Sequence, residues 1–322
     1  MAKLDLKLYR GYLRKNHLVV FGHAFESWAP DKYKLDRRGV WHAFSIFHMF
    51  RIKPLANKEV VLRFKDLELT TKTMEDGMFK FDIPFEQELK SGWHEYEVVC
   101  TFEKFGIIAK GEILKPFESK FGIISDIDDT FLISHSNSFL KKLWVMLFRN
   151  INKRKVFDDV TEHYHALSTF GQSAEKGFNS FFYVSSSEWN LYDFIIKFTE
   201  MKSLPKAVIK LKSIKTGLKD FFATGRGSHE HKFVKISEII SFYPDIEYVL
   251  LGDDSQHDVY IYEKLCKIFR LNIKAVYIRQ TGKKKNTKVQ RTIRNIESLN
   301  VAVCYFQESK KAIEHSKKIG II

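Results

Sequence analysis

The sequence predicts an antiparallel β-sandwich over residues 1–116 and, over 117–322, an α/β domain built on a parallel sheet covered by helices. Three observations carry this expectation. A chain of 322 residues is long enough for two domains of ordinary size. Up to Pro116, apolar residues recur at every second position, the period of half-buried strands. From Phe121 onward, short apolar runs alternate with segments of helical spacing, as when strands are joined by crossover helices.

In the first half, Val60, Leu62 and Phe64 alternate with Glu59, Val61 and Arg63, and Phe79, Phe81 and Ile83 alternate with Lys80 and Asp82. Tyr96, Val98, Cys100 and Phe102 alternate with Glu95, Glu97, Thr101 and Glu103. Turn signals separate these runs at Asp36–Gly39, Glu75–Gly77 and Ser91–Gly92. Short antiparallel strands in this density predict a sandwich. No polar cluster converges there, so a catalytic centre is not expected in this half.

In the second half, apolar runs fall at 121–125, 181–185, 206–211, 247–251, 273–278 and 301–306. Helical stripes lie between them. Val160, Tyr164 and Leu167 are closed by Gly171, and Phe194, Ile195, Phe198 and Met201 are stopped by Pro205. Phe233, Ile236, Ile240 and Tyr243 are stopped by Pro244, and Val259, Tyr262, Cys266 and Phe269 form a fourth stripe.

Composition excludes several classes. With 44% hydrophobic residues and 29 Phe, the chain is neither disordered nor collagen-like. Even an apolar run as long as Leu143–Phe148 is far short of the roughly 18 residues that suggest a membrane span. The opening segment breaks its apolar residues with charges and does not read as a signal peptide. Three widely spaced cysteines give neither a disulfide framework nor a thiolate zinc site, so a cytoplasmic location is expected. The formal net charge of +14 attracts anions such as nucleic acid, lipid headgroups or phosphorylated small molecules, and is equally the mark of a well-solvated surface.

In a parallel α/β sheet, ligands bind where the strands end. Asp126-Ile127-Asp128-Asp129-Thr130 comes directly after the first run. Gly252-Asp253-Asp254 comes after the fourth, with Asp258 one helical turn on. Two carboxylates about 4 Å apart repel by about 4 kcal/mol at an effective dielectric of 20, so convergence calls for a compensating cation. Oxygen donors without His or Cys favour Mg²⁺ over zinc. Either cluster alone reads as a solvated loop or a helix cap; the two together at two strand ends do not. Ser185-Ser186-Ser187 comes after the second run, where one hydroxyl can cap a helix and another can bind phosphate. Lys232 opens the third helix, and a lysine aimed into a carboxylate crevice would hold a phosphoryl oxygen. The pairs His229/His231 and His163/His165 are too closely spaced to share a helix face as zinc ligands. Gly225-Arg226-Gly227 lacks the ending of a P-loop.

The order strand–DIDDT, strand–SSS, helix–Lys, strand–GDDSQHD resembles the four motifs of the haloacid dehalogenase superfamily of Mg²⁺-dependent phosphatases. The wording ISDIDDT, YVSSSEWNL and LLGDDSQHD is similar to the catalytic domain of the actin-patch-type Mg²⁺-dependent phosphatidate phosphatase family, over about residues 117 to 310. Glu188 departs from the proline expected there, which bears on headgroup preference more than on fold.

The resemblance implies a Rossmann-like catalytic domain at 117–322, with a small cap inserted at about 131–180, preceded by the sandwich domain. It implies Asp126 as nucleophile and Asp128 as general acid and base. Ser185 and Lys232 would bind the phosphoryl group, and Thr130 would order the phosphate loop. Asp126, Asp128 and Asp253 would bind Mg²⁺, with Asp254 and Asp258 supporting the ion.

The substrate is a phosphorylated lipid or small molecule on this reading, phosphatidate at a membrane surface first. Phe131–Phe157 holds six basic residues and no acidic one, interleaved with Trp144, Phe139 and leucines. Such a segment suits an anionic membrane, giving a peripheral enzyme, and equally suits a cap helix packed on the core. A second basic cluster comprises Lys283, Lys284, Lys285, Lys288, Arg291 and Arg294. Two alternatives stay open: a phosphatase for soluble phosphomonoesters, and a non-catalytic binder of lipid or nucleic acid. No nucleic-acid recognition motif is present, so no specific nucleic-acid partner is expected.

Overall fold

The computed structural model describes residues 4–14, 16–26, 53–102, 105–117, 119, 121–127, 159–171, 177–212, 229–255, 257–282 and 286–322. Asp128, Asp129, Thr130, the first part of the expected cap (131–158), Gly225–Gly227 and Lys283–Lys285 lie outside the described residues. The chain divides into two units. One comprises Met1–Lys115 with Glu188–Phe194 and Ser213–Ala223; the other comprises Pro116–Ser187, Ile195–Lys212 and Thr224–Ile322.

The first unit contains β1 (Asp5–Leu8), β2 (Gly11–Arg14), β3 (His17–Phe25), β4 (Glu59–Phe64), β5 (Leu67–Lys72), β6 (Met78–Pro84), β7 (Gly92–Phe102) and β8 (Phe105–Lys115). The alternation places Val60, Leu62 and Phe64 inside, together with Phe79, Phe81, Tyr96, Val98 and Cys100. The architecture around that core corrects the expectation of a sandwich. All eight strands belong to one mixed, curled sheet in the order β1-β3-β2-β8-β7-β4-β5, with β6 on β3. Two strands, β3 and β2, make it continuous. The nine-residue β3 bonds to β1 and β2 on one side and to β6 on the other. β2 bonds in parallel to β8, joining Gly11 to Ile113 and Tyr12 to Leu114. Period two tells which face of a strand is buried, not which strand lies beside it, so it cannot separate two facing sheets from one sheet curled on its own core. The short segment Glu188–Phe194 also belongs here: Trp189 stacks on His23 with ring centroids 4.4 Å apart, and Arg10 N–H donates to the Tyr192 hydroxyl at 2.7 Å.

The second unit holds β9 (Phe121–Ser125), β10 (Ser180–Glu188), β11 (Ala207–Lys212), β12 (Glu247–Asp253), β13 (Ile273–Arg279) and β14 (Ala302–Phe306). They form a parallel sheet in the order β11-β10-β9-β12-β13-β14. Six helices are described with it: α1 (Val160–Thr169), α2 (Tyr192–Met201, of which the part from Ile195 on belongs to this unit), α3 (His229–Phe242), α4 (Asp258–Ile268), α5 (Thr287–Glu297) and α6 (Ser309–Lys318). The apolar stripes are buried at Tyr164 and Leu167, Ile195 and Phe198, Ile236 and Ile240, and Val259, Tyr262 and Cys266. Gly171 comes after α1 at φ 70°, a left-handed conformation that glycine adopts without a Cβ penalty. α4 packs on β12 and β13, α5 on α4 and β14, and α6 on β14 and α1. Within the segment expected as a cap, α1 lies against the sheet: the Tyr164 ring is 5.7 Å from Phe181. The expected whole, a helix-covered Rossmann-like domain with a small cap preceded by a sandwich, is therefore replaced by a curled mixed sheet and a parallel sheet with six described helices.

Candidate functional site

β9 and β12 are neighbours, in register from Phe121↔Glu247 to Ser125↔Leu251. Asp126 continues the ladder one step, its N–H donating to Leu251 O at 2.8 Å. Asp126 therefore leaves the end of β9 beside Asp253, the last residue of β12. Asp258 opens α4 a few residues later. Carboxylate oxygens of Asp126, Asp253 and Asp258 lie within 4.8 Å of one another, and all three residues are buried. Gly252 permits this approach, since a Cβ there would stand 2.8 Å from Asp258 Oδ2 and 2.8 Å from the Tyr262 ring. The Tyr262 hydroxyl donates to Leu251 O at 2.8 Å and fixes the same turn.

Lys232, in the first turn of α3, is 3% exposed. Its Nζ lies 2.8 Å from Asp126 Oδ1 and 2.5 Å from Asp258 Oδ1. Burial pulls the ammonium pKa down, but the two carboxylates outweigh it and the net shift is upward, so Lys232 is a permanent cation. Asp253 moves the other way. Burial, then the charge of Asp258, pushes its carboxyl up to about 7, against the Ser255 N–H that donates to Oδ1 at 2.5 Å and the charge of Lys232. One lysine thus leaves three carboxylates undercompensated. The Asp258 Oδ2 atom is buried and has no hydrogen-bond partner among the described residues. An all-oxygen donor set, net negative, with an orphaned carboxylate oxygen, fits a hard divalent cation.

The structure thus brings together four of the residues expected at the site: Asp126, Asp253, Asp258 and Lys232. Ser185 is buried on β10, two residues past Tyr183, which pairs with Ser125; this places it at the same end of the sheet. Asp254 is directed elsewhere: its Oδ1 accepts from Thr281 N–H and Oγ1, and its Oδ2 from the Tyr305 hydroxyl. Asp128 and Thr130 lie outside the described residues. His163 and His165 bond to separate groups, Ser316 Oγ and Ser203 O.

Several residues around the site are not evident from the sequence. Ser125 Oγ donates to Asp126 O at 2.7 Å and lies 2.7 Å from the Tyr164 hydroxyl, bracing the nucleophile candidate from below. Tyr262 reads in sequence only as a member of an apolar stripe, yet it is four residues from Asp258 and shares its helix face. Arg279 ends β13 opposite Asp253. It is buried, bonds to Gln307 O and Ser309 Oγ at 2.9 Å each, and burial lowers its pKa to about 10 against the opposing influence of Tyr164 and Asp253. Arg279 and Thr281 stand directly after the fifth apolar run, so the strand-end rule that locates the carboxylates locates them too.

Residues 121–280 match the family described as phosphatidate phosphatase APP1, catalytic domain. A curated relative, phosphatidate phosphatase APP1 of Saccharomyces cerevisiae, is 28% identical over 159 residues, which cover 49% of this chain and 25% of the relative. The matched part thus amounts to a quarter of that protein. Among solved structures, a carbohydrate acetylesterase from Xanthomonas citri aligns with a TM-score of 0.36 at 8% identity, covering 99% of this chain and 75% of that one. A variant of the PilB minor pilin from Streptococcus sanguinis aligns at 0.29 with 12% identity, covering 82% and 86%. Scores this low carry no argument about fold or function. The matched stretch begins with β9 and runs through Asp126, Lys232, Asp253 and Asp258. By its sequence, the part of the chain that carries the carboxylate cluster resembles the catalytic domain of the phosphatidate phosphatase APP1 family.

Proposed function

We propose that this chain is a Mg²⁺-dependent phosphomonoester phosphatase that works through an aspartyl-phosphate, and that its substrate is phosphatidate, cleaved to diacylglycerol at a membrane surface. The observation that carries the reading is the buried cluster of Asp126, Asp253 and Asp258 with Lys232 at adjoining strand ends, inside the stretch that resembles a phosphatidate phosphatase catalytic domain.

In this proposal an Asp126 oxygen attacks phosphorus and the bond from phosphorus to the lipid oxygen breaks. Asp128 gives its proton to the departing alkoxide. Water then attacks the same phosphorus, Asp128 takes a proton from it, and inorganic phosphate leaves with Asp126 regenerated. Lys232, fixed between Asp126 and Asp258, offers positive charge to the equatorial oxygens. Ser185 and Thr130 are proposed to bind and order the phosphoryl group. Asp126, Asp253 and the Asp128 carbonyl would hold Mg²⁺, which when bound supplies the charge neutralisation that lets an anionic nucleophile meet an anionic substrate. Asp258 would support the ion through its Oδ2, which has no hydrogen-bond partner among the described residues, and its Oδ1 holds Lys232.

The membrane part of the proposal draws on α5. β13 and β14 run parallel, so the helix joining them runs back against them and begins at the sheet end where Asp253 lies. Its buried side is Val289, Thr292, Ile293 and Ile296. Its outer side carries Lys288, Arg291 and Arg294, all exposed and without a salt bridge among the described residues. Together with the net charge of +14, this suits an anionic bilayer. No described helix is long and apolar enough to cross a membrane. A peripheral enzyme on the cytoplasmic side is part of the same proposal.

The test is phosphate release with Mg²⁺ from phosphatidate, lysophosphatidate, sugar phosphates, nucleotides and phosphopeptides. Release from phosphatidate vesicles, lost on chelation and lost in Asp126→Asn, supports the reading. Release from the soluble esters alone moves the assignment to a soluble-substrate phosphatase, and no release from any of them contradicts it.

A further inference from the structure

Asp253 and Asp254 are a doublet in sequence, but the structure gives them opposite tasks. Asp253 faces the carboxylate cluster. Asp254 is held from two other strands. Its N–H donates to Arg279 O at 3.0 Å, extending the β12–β13 ladder past the Asp253↔Arg279 pair. Its Oδ1 accepts from Thr281 N–H at 2.8 Å and from Thr281 Oγ1 at 2.7 Å, just beyond the end of β13. Its Oδ2 accepts from the Tyr305 hydroxyl at 2.6 Å, on β14. Gln280 N–H donates to Phe306 O at 2.6 Å and locks the two supporting strands together at the same level.

We propose that Tyr305 and Thr281 are positioning residues for the cation site, acting through Asp254 to fix the peptide that aims Asp253. This inference rests on reading the carboxylate cluster as a metal site. Three donors on one carboxylate, two of them hydroxyls, leave Asp254 a single orientation. The backbone bond to Arg279 removes the remaining freedom of the residue. Asp253 is joined to Asp254 by one planar peptide, so restraint on the second limits the directions open to the first. Outer groups that orient a ligand in this way commonly change metal affinity by about 10- to 100-fold when deleted.

The experiment is calorimetric titration of the whole protein with Mg²⁺ alone, beside thermal melting in EDTA. Tyr305→Phe keeps the ring and deletes the hydroxyl; Thr281→Val deletes the other. The control is Tyr277→Phe, which removes a hydroxyl of the same sheet bonded to Ser316 and His315 instead of Asp254. The inference predicts Mg²⁺ binding weakened about 10-fold in Tyr305→Phe, further in the double variant, and unchanged in Tyr277→Phe, whatever each does to melting. Equal affinity in wild type and Tyr305→Phe overturns it, as does equal weakening in Tyr277→Phe, which would mark a general loss of stability. A wild-type protein that gives no binding heat and no Mg²⁺-dependent shift in melting overturns the metal reading itself, and this inference with it.

Discussion

Lys232 Nζ lies 2.8 Å from Asp126 Oδ1, with both side chains almost wholly buried. The pair joins a helix to the end of a strand and sets a cation beside a carboxylate at the edge of an apolar sheet. The same ammonium reaches Asp258, so one cation serves two anions.

Removing that cation should be costly. Lys232→Met leaves two buried carboxylates without their partner, and breaking a buried pair in this way costs about 3–5 kcal/mol. Urea unfolding in EDTA is expected to show a loss of that order, and phosphatase turnover to fall below detection. Added Mg²⁺ should restore part of the stability, because it binds the folded state only. An unchanged unfolding midpoint would mean that Lys232 does not bear the cluster's charge.

A second prediction concerns acid. His163 is buried against Ser316 and Tyr277, and its pKa is lowered to about 3 by burial first, then by the charges of Arg279 and His315. In the unfolded chain it titrates near 6.5, so below that pH the unfolded state holds the extra proton and the folded state does not. Stability therefore falls as pH drops from about 6.5 toward about 3, and is fully present above 6.5. His163→Asn keeps a polar contact for Ser316 without the titration. Urea unfolding at pH 7 and at about pH 5 should show a smaller pH-dependent loss in this variant than in wild type.

The basic side of α5 gives a third. Each Lys or Arg near an anionic bilayer contributes about 1 kcal/mol, so reversing two charges should reduce binding by more than about tenfold. Sedimentation with phosphatidylserine vesicles at low salt is expected to be strong in wild type, weak in Lys288→Glu/Arg291→Glu, and weak for both at high salt. Arg294 lies further along the helix from the sheet end, and Arg294→Glu should have the smaller effect. Equal sedimentation of all variants would remove α5 from the docking surface.

Asp126 and Asp253 are legible in the sequence because parallel strands carry their chemistry where an apolar run ends; Asp258 follows one helical turn on, and Lys232 is marked only by its place at the opening of a helix. As residues Asp253 and Asp254 look alike, and only the resemblance ranks the first as a ligand and the second as a support. The bonds to Thr281 and Tyr305, 27 and 51 residues away, are what the sequence does not show. The curled first sheet is illegible for a similar reason. Its continuity depends on the pairing of Gly11 with Ile113, and alternation within a strand carries no information about a partner that distant.

Central to the proposed chemistry is one divalent cation shared by the oxygens of Asp126 and Asp253. Anomalous diffraction from crystals soaked in Mn²⁺ tests it most directly. The predicted result is a single strong peak about 2.0–2.3 Å from a carboxylate oxygen of each residue, absent in crystals of Asp253→Asn. A peak elsewhere, or none while Lys232 still occupies the space between Asp126 and Asp258, would contradict it.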